Sequence, residues 1–331
     1  MEKYDVIILG SGPAGYTAAI YLSRGGFKPL ILTGVQIGGQ LTLTTNIENY
    51  SGFPEPIAGI DLMNKMKVQA ERFGTKVVND LALKIEKGSD QFKITGQKGG
   101  YSSKAVVVAT GASAIWLDVP GVGKFKGKGV SACATCDGPF FKEKTVAVIG
   151  GSDTAFVEVE FLLRFAKRVY LIHRREEYRA EKILQDRVLK NEKVAPLFNT
   201  QVIEFLGQDK LGHLRLETKF KVQSDKYMSE VGKYPERYGG KLMEKNSEKI
   251  VWQLACDGAF MAIGHKPNTV FLKGFTDLDE NGYIKTRDEV FTSVDGIFAA
   301  GDVIANKYKQ ALIAAGSGCK AAIEVQEYLK K

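Results

Sequence analysis

Asp5-Val-Ile-Ile-Leu-Gly10-Ser-Gly12-Pro-Ala-Gly15 decides the architecture of this chain. An apolar strand that ends in G-x-G-x-x-G and opens a helix through Ala18, Ala19, Tyr21 and Leu22 is a dinucleotide-binding unit. Gly10 permits the tight turn, Gly12 lets backbone approach a pyrophosphate, and Gly15 lets helix pack on strand. The unpaired N–H groups at the helix start then face the phosphates. A second copy reads Thr145-Val-Ala-Val-Ile-Gly150-Gly151-Ser-Asp-Thr-Ala155, followed by an apolar helix through Phe156, Val159 and Leu163. Here the pattern is G-x-G-x-x-A with Ser152 in place of the middle glycine. Its side chain stands where backbone should come closest to phosphate, and its hydroxyl can donate there instead, so binding is weakened rather than lost. The expected fold class is α/β, with two Rossmann-like nucleotide-binding domains.

The ends of the second strands say which nucleotide goes where. An NAD site usually carries Asp or Glu there for the ribose hydroxyls. After Val169-Tyr-Leu-Ile172 stand His173, Arg174 and Arg175, then Arg179. Guanidinium groups surround a 2′-phosphate with paired hydrogen bonds, which predicts NADP rather than NAD. The plain alternative is an exposed basic turn. The first unit ends its strand in Thr33-Gly34 and must hold its nucleotide by other means.

Ser131-Ala-Cys-Ala-Thr-Cys-Asp-Gly-Pro139 carries the chemistry. Cys133 and Cys136 are spaced to close a small disulfide ring, and Asp137 can hand a proton to a departing thiolate. Half of a zinc site looks the same, but zinc needs two more ligands. Cys256, Cys319 and the three histidines form no second paired knuckle. Redox work is favoured over zinc and over two inert buried thiols, and no metal is expected.

The remaining composition sets bounds. The 331 residues, 44% apolar and 25% charged, suffice for two domains with proper cores. No apolar run approaches the roughly 20 residues of a membrane span. The chain enters its first strand without the pattern of a signal peptide, so a cytoplasmic protein with no membrane partner is expected. The excess of 46 basic over 38 acidic residues, net +8, comes without a nucleic-acid motif. It favours an acidic protein partner over nucleic acid.

Together these motifs resemble the low-molecular-weight, bacterial-type thioredoxin reductases of the pyridine nucleotide-disulfide oxidoreductases. The resemblance runs through Ile8 to Ala19, Gly38-Gly-Gln-Leu41, Ala109-Thr-Gly-Ala112, Val130 to Gly138, His173-Arg-Arg175, Arg179 to Leu184, Ala262-Ile-Gly-His265, Pro267-Asn-Thr269 and Phe298-Ala-Ala-Gly-Asp302. It implies FAD in a discontinuous domain of residues 1–116 and 249–331, and NADPH in an inserted domain, residues 117–248, carrying the dithiol. FAD would be held by Gly10, Ser11, Gly12, Pro13, Ala14, Gly15, Thr33, Gly34, Gly39, Gln40, Asn49, Ala109, Thr110, Gly111, Gly301 and Asp302. Lys309, Gln310 and Ala311 would lie near the isoalloxazine. Position 309 is commonly Arg in the family, so Lys309 keeps the charge and loses the planar fork. NADPH would be held by Gly150, Gly151, Ser152, Asp153, Thr154, Ala155, His173, Arg174, Arg175, Arg179, Ile263 and Gly264. No Cys lies between residues 20 and 60, where glutathione-reductase-like enzymes carry their dithiol.

The resemblance further implies a homodimer that reduces thioredoxin or a thioredoxin-like protein. Cys136 would be the flavin-proximal thiol, Cys133 its redox partner and Asp137 the general acid. It implies rotation of the NADPH domain on hinges near residues 114–120 and 245–254. Residues 226–246 exceed the family's usual length. A solvated hairpin is expected there, with a partner or dimer contact as the alternative. A ferredoxin-fed flavin thioredoxin reductase competes with this reading, and so do a dithiol oxidase and a non-catalytic redox sensor.

Overall fold

The computed structural model describes residues 3–43, 47–220, 232–304 and 308–331. The chain divides into two compact units, Met1–Ser113 with His265–Lys331, and Ala114–Gly264. The second is therefore inserted into the first.

In the first unit β1 (Lys3–Leu9), β2 (Pro29–Leu32) and β3 (Lys76–Val78) run parallel. β4 (Ala82–Lys87) and β5 (Phe92–Gly96) pair antiparallel, and β5 pairs antiparallel with β6 (Gly100–Val108), which lies parallel to β1. The sheet order is β3-β2-β1-β6-β5-β4, with the strand Ile297–Ala299 also parallel on β6. Successive strand side chains point to opposite faces, so β1 feeds two cores. Val6 and Ile8 join one with α1 (Pro13–Arg24), α2 (Gly59–Arg72) and the C-terminal helix Ala311–Lys330. Ile7 and Leu9 join another with residues of β4, β5 and the segment around Leu272 and Ile284. Burial on both faces is why the strand reads as an unbroken apolar run. A short strand β7 (Ala112–Ala114) leads out of the unit.

The second unit repeats the plan. β8 (Val130–Ser131), β9 (Thr145–Gly150), β10 (Arg168–Ile172) and β11 (Val194–Leu197) belong to a parallel sheet. β12 (Thr200–Gly207), β13 (Leu211–Lys219), β14 (Lys241–Lys245) and β15 (Lys249–Ala255) form an antiparallel sheet in the order β12-β13-β15-β14. β16 (Gly258–Ala262) then enters the parallel sheet between β9 and β8. Ala147 and Ile149 of β9 pack towards the antiparallel sheet, whereas Val146 and Val148 pack with Phe156, Val159 and Leu162 of α5 (Asp153–Leu162). The other helices here are α3 (Val122–Phe125), α4 (Ala134–Asp137) and α6 (Lys182–Leu189).

Two sequence expectations need correction. The return to the first unit was placed at residue 249 and occurs at His265. β15 lies inside one sheet of the inserted unit and β16 inside the other, so residues 245–254 are sheet, not a crossing. The outward crossing falls at Ser113–Ala114, three residues before the expected 116. Of the long segment, residues 226–231 lie outside the described residues. The described part is a hairpin, since β14 pairs antiparallel with β15 and all five β14 residues are exposed. It is not solvated throughout. Tyr234, on a one-turn helix Tyr234–Arg237, is buried with its ring centroid 6.5 Å from that of Trp252. Among the described residues no helix is long and apolar enough to cross a membrane.

Candidate active site

The first phosphate loop is closed by backbone contact that only glycine permits. Gly10 has φ +112°, and a Cβ there would lie 2.2 Å from the Ala109 carbonyl oxygen. A Cβ at Gly15 would lie 2.0 Å from the Gly10 carbonyl oxygen. At Gly12 a Cβ would meet nothing within 4 Å, leaving the open side of the loop free for a ligand. Pro13 starts α1, where its missing N–H costs nothing. The Ser11 hydroxyl donates to the Thr33 carbonyl at 3.0 Å and accepts the Gly38 N–H at 2.9 Å. That joins the loop to Thr33-Gly34 and to the Gly38-Gly39 turn, where a Gly39 Cβ would stand 3.4 Å from Gly12 Cα. Gln40 is exposed and donates to Gln36 Oε1. Thr110 and Asn268 bond reciprocally at 2.9 Å, and Gly111 accepts the Asn268 N–H, which fixes Ala109–Gly111 beside the loop.

Asp302 is the strongest sign of a ligand-binding site. Its Oδ1 is sealed from solvent and makes no hydrogen bond. Burial raises its pKa, while Lys309 pulls it down. Lys309 Nζ lies 3.5 Å from the Asp302 carbonyl and 4.4 Å from the Tyr283 ring centroid. Burial lowers the Lys309 pKa against the opposing pull of Asp302. Gly301, at φ +77°, donates its N–H to Ser317 Oγ. Gln310 precedes Ala311 at the start of the C-terminal helix and accepts from Asn49 Nδ2 at 3.4 Å. An open glycine loop, an orphaned buried carboxyl oxygen and a helix N-terminus form a donor set that fits a dinucleotide. FAD is the one the sequence predicts.

The second loop uses the same closure. A Cβ at Gly150 would lie 2.4 Å from the Ala262 carbonyl oxygen, so the end of β16, followed by Ile263 and Gly264, borders the loop. Ala155 is buried on α5, Thr154 is exposed, and Asp153 Oδ1 accepts the Glu181 N–H at 2.8 Å. The Arg179 N–H donates to the Gly151 carbonyl at 2.7 Å, tying the basic segment to the loop. His173 differs from expectation. It is 6% exposed, its ring fills the place of a Gly151 Cβ, and its Nε2 bonds the Glu177 carbonyl. Burial lowers its pKa, so it backs the loop as a neutral ring and is not an exposed phosphate ligand. Arg174, Arg175 and Arg179 are exposed, and among the described residues none forms an ion pair. Three free guanidiniums beside a phosphate loop suit a 2′-phosphate.

A disulfide joins Cys133 and Cys136, with Cα atoms 5.3 Å apart. Cys133 caps α4 in extended conformation, and the Asp137 N–H donates to its carbonyl at 3.1 Å. α4 sits close on α5, since a Cβ at Gly138 would lie 3.1 Å from Phe161. Burial raises the Asp137 pKa, and a hydrogen bond from Ser131 lowers it in part. The loop thus holds a reducible bond next to a carboxyl group biased toward its protonated form. The other cysteines are separate. Cys256 is buried with its thiol pushed up to about 12, and Cys319 lies on the C-terminal helix. Sequence reasoning passed over Ser131, Asn268, Tyr283 and Ser317. Asn268 carried a signal in Pro267-Asn-Thr269, whereas the other three show themselves only through contacts.

Comparison with known proteins agrees with this geometry. Residues 4–318 match the model of the pyridine nucleotide-disulphide oxidoreductase family. A thioredoxin reductase of Rickettsia felis is 42% identical over 328 residues, covering 98% of both chains. One of Mycolicibacterium smegmatis is also 42% identical, covering 98% of this chain and 96% of its own. The crystal structure of a Streptococcus pyogenes thioredoxin reductase superposes with a TM-score of 0.86 at 36% identity, covering 99% and 98%. The chain therefore belongs to the pyridine nucleotide-disulphide oxidoreductases, and within them to the low-molecular-weight thioredoxin reductases.

Proposed function

We propose that this chain carries electrons from NADPH through FAD and the Cys133–Cys136 disulfide to the disulfide of a thioredoxin. The observation that carries this reading is the disulfide itself, held on α4 against the helix of a phosphate loop and followed by a half-buried acid. FAD, when bound, supplies two-electron carriage between a nicotinamide hydride and a disulfide. The residues of the first unit bind and orient it. Gly12 admits the pyrophosphate, α1 and the C-terminal helix offer their N-termini, and Asp302 Oδ1 accepts a hydroxyl. In the second unit Gly150–Ala155 receives the NADPH pyrophosphate, and Arg174, Arg175 and Arg179 take the 2′-phosphate.

The dithiol chemistry then belongs to the chain's own atoms. Reduction breaks the Cys133–Cys136 bond, and Asp137 protonates the departing thiolate. One of the two sulfurs, as its thiolate, next attacks the partner's disulfide to give a mixed disulfide, and the partner's leaving sulfur takes up a proton. The second displaces it, re-forming Cys133–Cys136 and releasing the partner as a dithiol, two electrons for two. The net positive charge favours encounter with an acidic partner. A cytoplasmic homodimer completes the proposal.

Anaerobic titration with NADPH tests it. Uptake beyond two electrons per flavin is expected, because the disulfide accepts a further pair. Cys133→Ser and Cys136→Ser should keep FAD, still bleach with NADPH and lose thioredoxin reduction. Wild-type turnover in either variant defeats the assignment. Reduction by reduced ferredoxin but not by NADPH selects the ferredoxin-fed alternative.

A further inference from the structure

Asp80 lies two residues past the end of β3 and is 2% exposed. A carboxylate so deeply buried is costly unless donors surround it. Its Oδ1 accepts the Leu81 N–H at 2.7 Å and the Lys98 N–H at 3.0 Å, and its Oδ2 accepts the Tyr101 hydroxyl at 2.8 Å. Lys98 belongs to the turn between β5 and β6, and Tyr101 to β6. A Cβ at Gly96, where β5 ends, would stand 2.2 Å from Oδ2, so glycine there leaves room for the carboxylate. Two further bonds close the same turn on this segment. The Gln97 N–H donates to the Leu81 carbonyl at 2.9 Å, and Lys98 Nζ donates to the Asn79 carbonyl at 2.8 Å.

The backbone of Asp80 leads on to the first nucleotide loop. Its carbonyl accepts the Gly34 N–H at 3.0 Å, and the Val78 carbonyl accepts the Thr33 N–H at 3.0 Å. Thr33 Oγ1 donates to Asn79 Oδ1 at 3.4 Å, and the Thr33 carbonyl accepts from Ser11 of the glycine loop. Thr33-Gly34 is thereby strapped to β3 and to the loop, while at Gly34, φ +76°, a Cβ would meet nothing within 4 Å. In a dinucleotide unit the end of the second strand receives the adenosine ribose, usually on an acidic side chain. Here that position holds no acid, and the Asp80 carboxylate, one strand over, is committed to protein donors. We infer that Asp80 is a positioning residue for cofactor binding: its carboxylate locks the end of β3 to the β5–β6 turn, and its carbonyl thereby fixes Gly34 and the open face that receives the ribose. The inference rests on the reading of the first unit as the FAD site. Without the carboxylate, the Leu81 and Lys98 N–H groups and the Tyr101 hydroxyl lose their acceptor, and the segment that holds Gly34 loses its anchor.

AMP, the adenosine half of FAD, probes this end of the site alone. Its competition with FAD for the full-length apoprotein gives an affinity in each variant. In Asp80→Ala that affinity should fall about tenfold, the size of one lost hydrogen bond. Asp80→Asn keeps an oxygen for the Leu81 and Lys98 N–H groups and offers Tyr101 an amide donor, so it should stay within about twofold of wild type. The reduction potential of bound FAD and the KM for NADPH should not move in either variant, because neither quantity reads the adenosine end. A merely structural role would lower stability and leave the AMP affinity of the folded protein unchanged. Wild-type AMP affinity in folded Asp80→Ala therefore overturns the inference, as does an equal loss in Asp80→Asn. If Asp80→Ala does not fold, Tyr101→Phe, which removes a single donor, decides in its place. Its AMP affinity should be about two- to threefold weaker, and a wild-type value overturns the inference. If wild type takes up FAD but AMP fails to compete, the ribose assignment falls and the inference with it. If wild type takes up no FAD, the proposed function itself falls.

Discussion

At Gly12 a Cβ would meet nothing within 4 Å, whereas at Ser152, the matching position of the second loop, a side chain already stands. Around the first loop the contacts are close and enclosing: Ser11 laces it to Thr33 and Gly38, and Asp302 holds an unpartnered, sealed oxygen. Around the second they are charged and open. His173 fills the space behind Gly151, and Arg174, Arg175 and Arg179 stand in solvent. The contrast teaches how one strand–turn–helix serves two kinds of ligand. Enclosure suits a cofactor that stays, since its many small contacts are lost only together. Exposed charge suits a substrate that must leave each cycle, because it attracts at long range and needs little rearrangement to release.

The comparison breaks most sharply at the first loop. Gly10→Ala adds a Cβ at φ +112° and 2.2 Å from a backbone oxygen, so strain and clash act together. A loss of more than about 4 kcal/mol is expected, with no FAD retained. Gly12→Ala should behave oppositely. Its φ of −74° suits any residue and its Cβ enters open space, so chemical denaturation of the apoprotein should change by less than about 0.5 kcal/mol. FAD affinity, measured by fluorescence, should nonetheless fall. Equal stability losses in the two variants would mean that the open side of Gly12 is not a ligand face.

Next in size is the charged grip of the second unit. Each charge-assisted hydrogen bond to a 2′-phosphate is worth about 1.5–3 kcal/mol, or roughly 10- to 150-fold in affinity. Arg174→Ala with Arg175→Ala should raise the KM for NADPH at least about tenfold and barely affect NADH, which lacks that phosphate. Steady-state kinetics with both nucleotides checks this. A double variant that keeps its NADPH preference would reduce these arginines to a basic turn.

Asp302→Asn separates binding from stability within the enclosed site. The folded pKa of Asp302 lies above its unfolded value, so the folded state binds a proton the unfolded state has released. Stability from this group is therefore greatest in acid and falls as pH rises from the unfolded toward the folded pKa. In Asp302→Asn that decline should vanish from the thermal melts of the apoprotein. FAD binding should weaken by about tenfold, the loss of one hydrogen bond to a charged acceptor. A pH profile identical to wild type would show that the Asp302 carboxyl binds its proton equally in the folded and unfolded chain, against the shift that burial imposes.

Much of this was legible in the sequence because backbone-dictated features leave local marks. Gly10, Gly15 and Gly150 are glycines since a Cβ would strike a backbone oxygen, and that demand recurs at fixed spacing from strand to helix. The dithiol was legible for a similar reason, two thiols one helical turn apart. What escaped was set by partners distant in the chain. His173 reads as part of a basic cluster and is buried by Gly151, whose missing side chain makes room for its ring. The boundary at Gly264–His265 was misplaced because β15 reads as an apolar strand that either domain could take, and only its pairing with β13 and β14 assigns it. Tyr234 sits in a polar stretch that reads as solvated, and Trp252 beneath it decides otherwise.

The smallest effect tests whether the missing glycine matters at all. Ser152 is the N-cap of α5 in extended backbone, φ −96° and ψ 175°, and its hydroxyl makes no capping bond. Replacing an N-cap serine by glycine costs only a few tenths of a kcal/mol, and here no side-chain bond is lost, so stability should hardly move. For the nucleotide two effects oppose. Ser152→Gly lets backbone approach the pyrophosphate more closely but removes a hydroxyl free to donate to it. The expected result is an unchanged or about two- to threefold lower KM for NADPH, well inside the effect of a single hydrogen bond. A several-fold rise in KM would show the free hydroxyl to be a phosphate ligand, making Ser152 an alternative grip in place of the missing glycine. Either outcome, read beside Gly12→Ala, measures how much close backbone approach contributes when arginines already hold the other end.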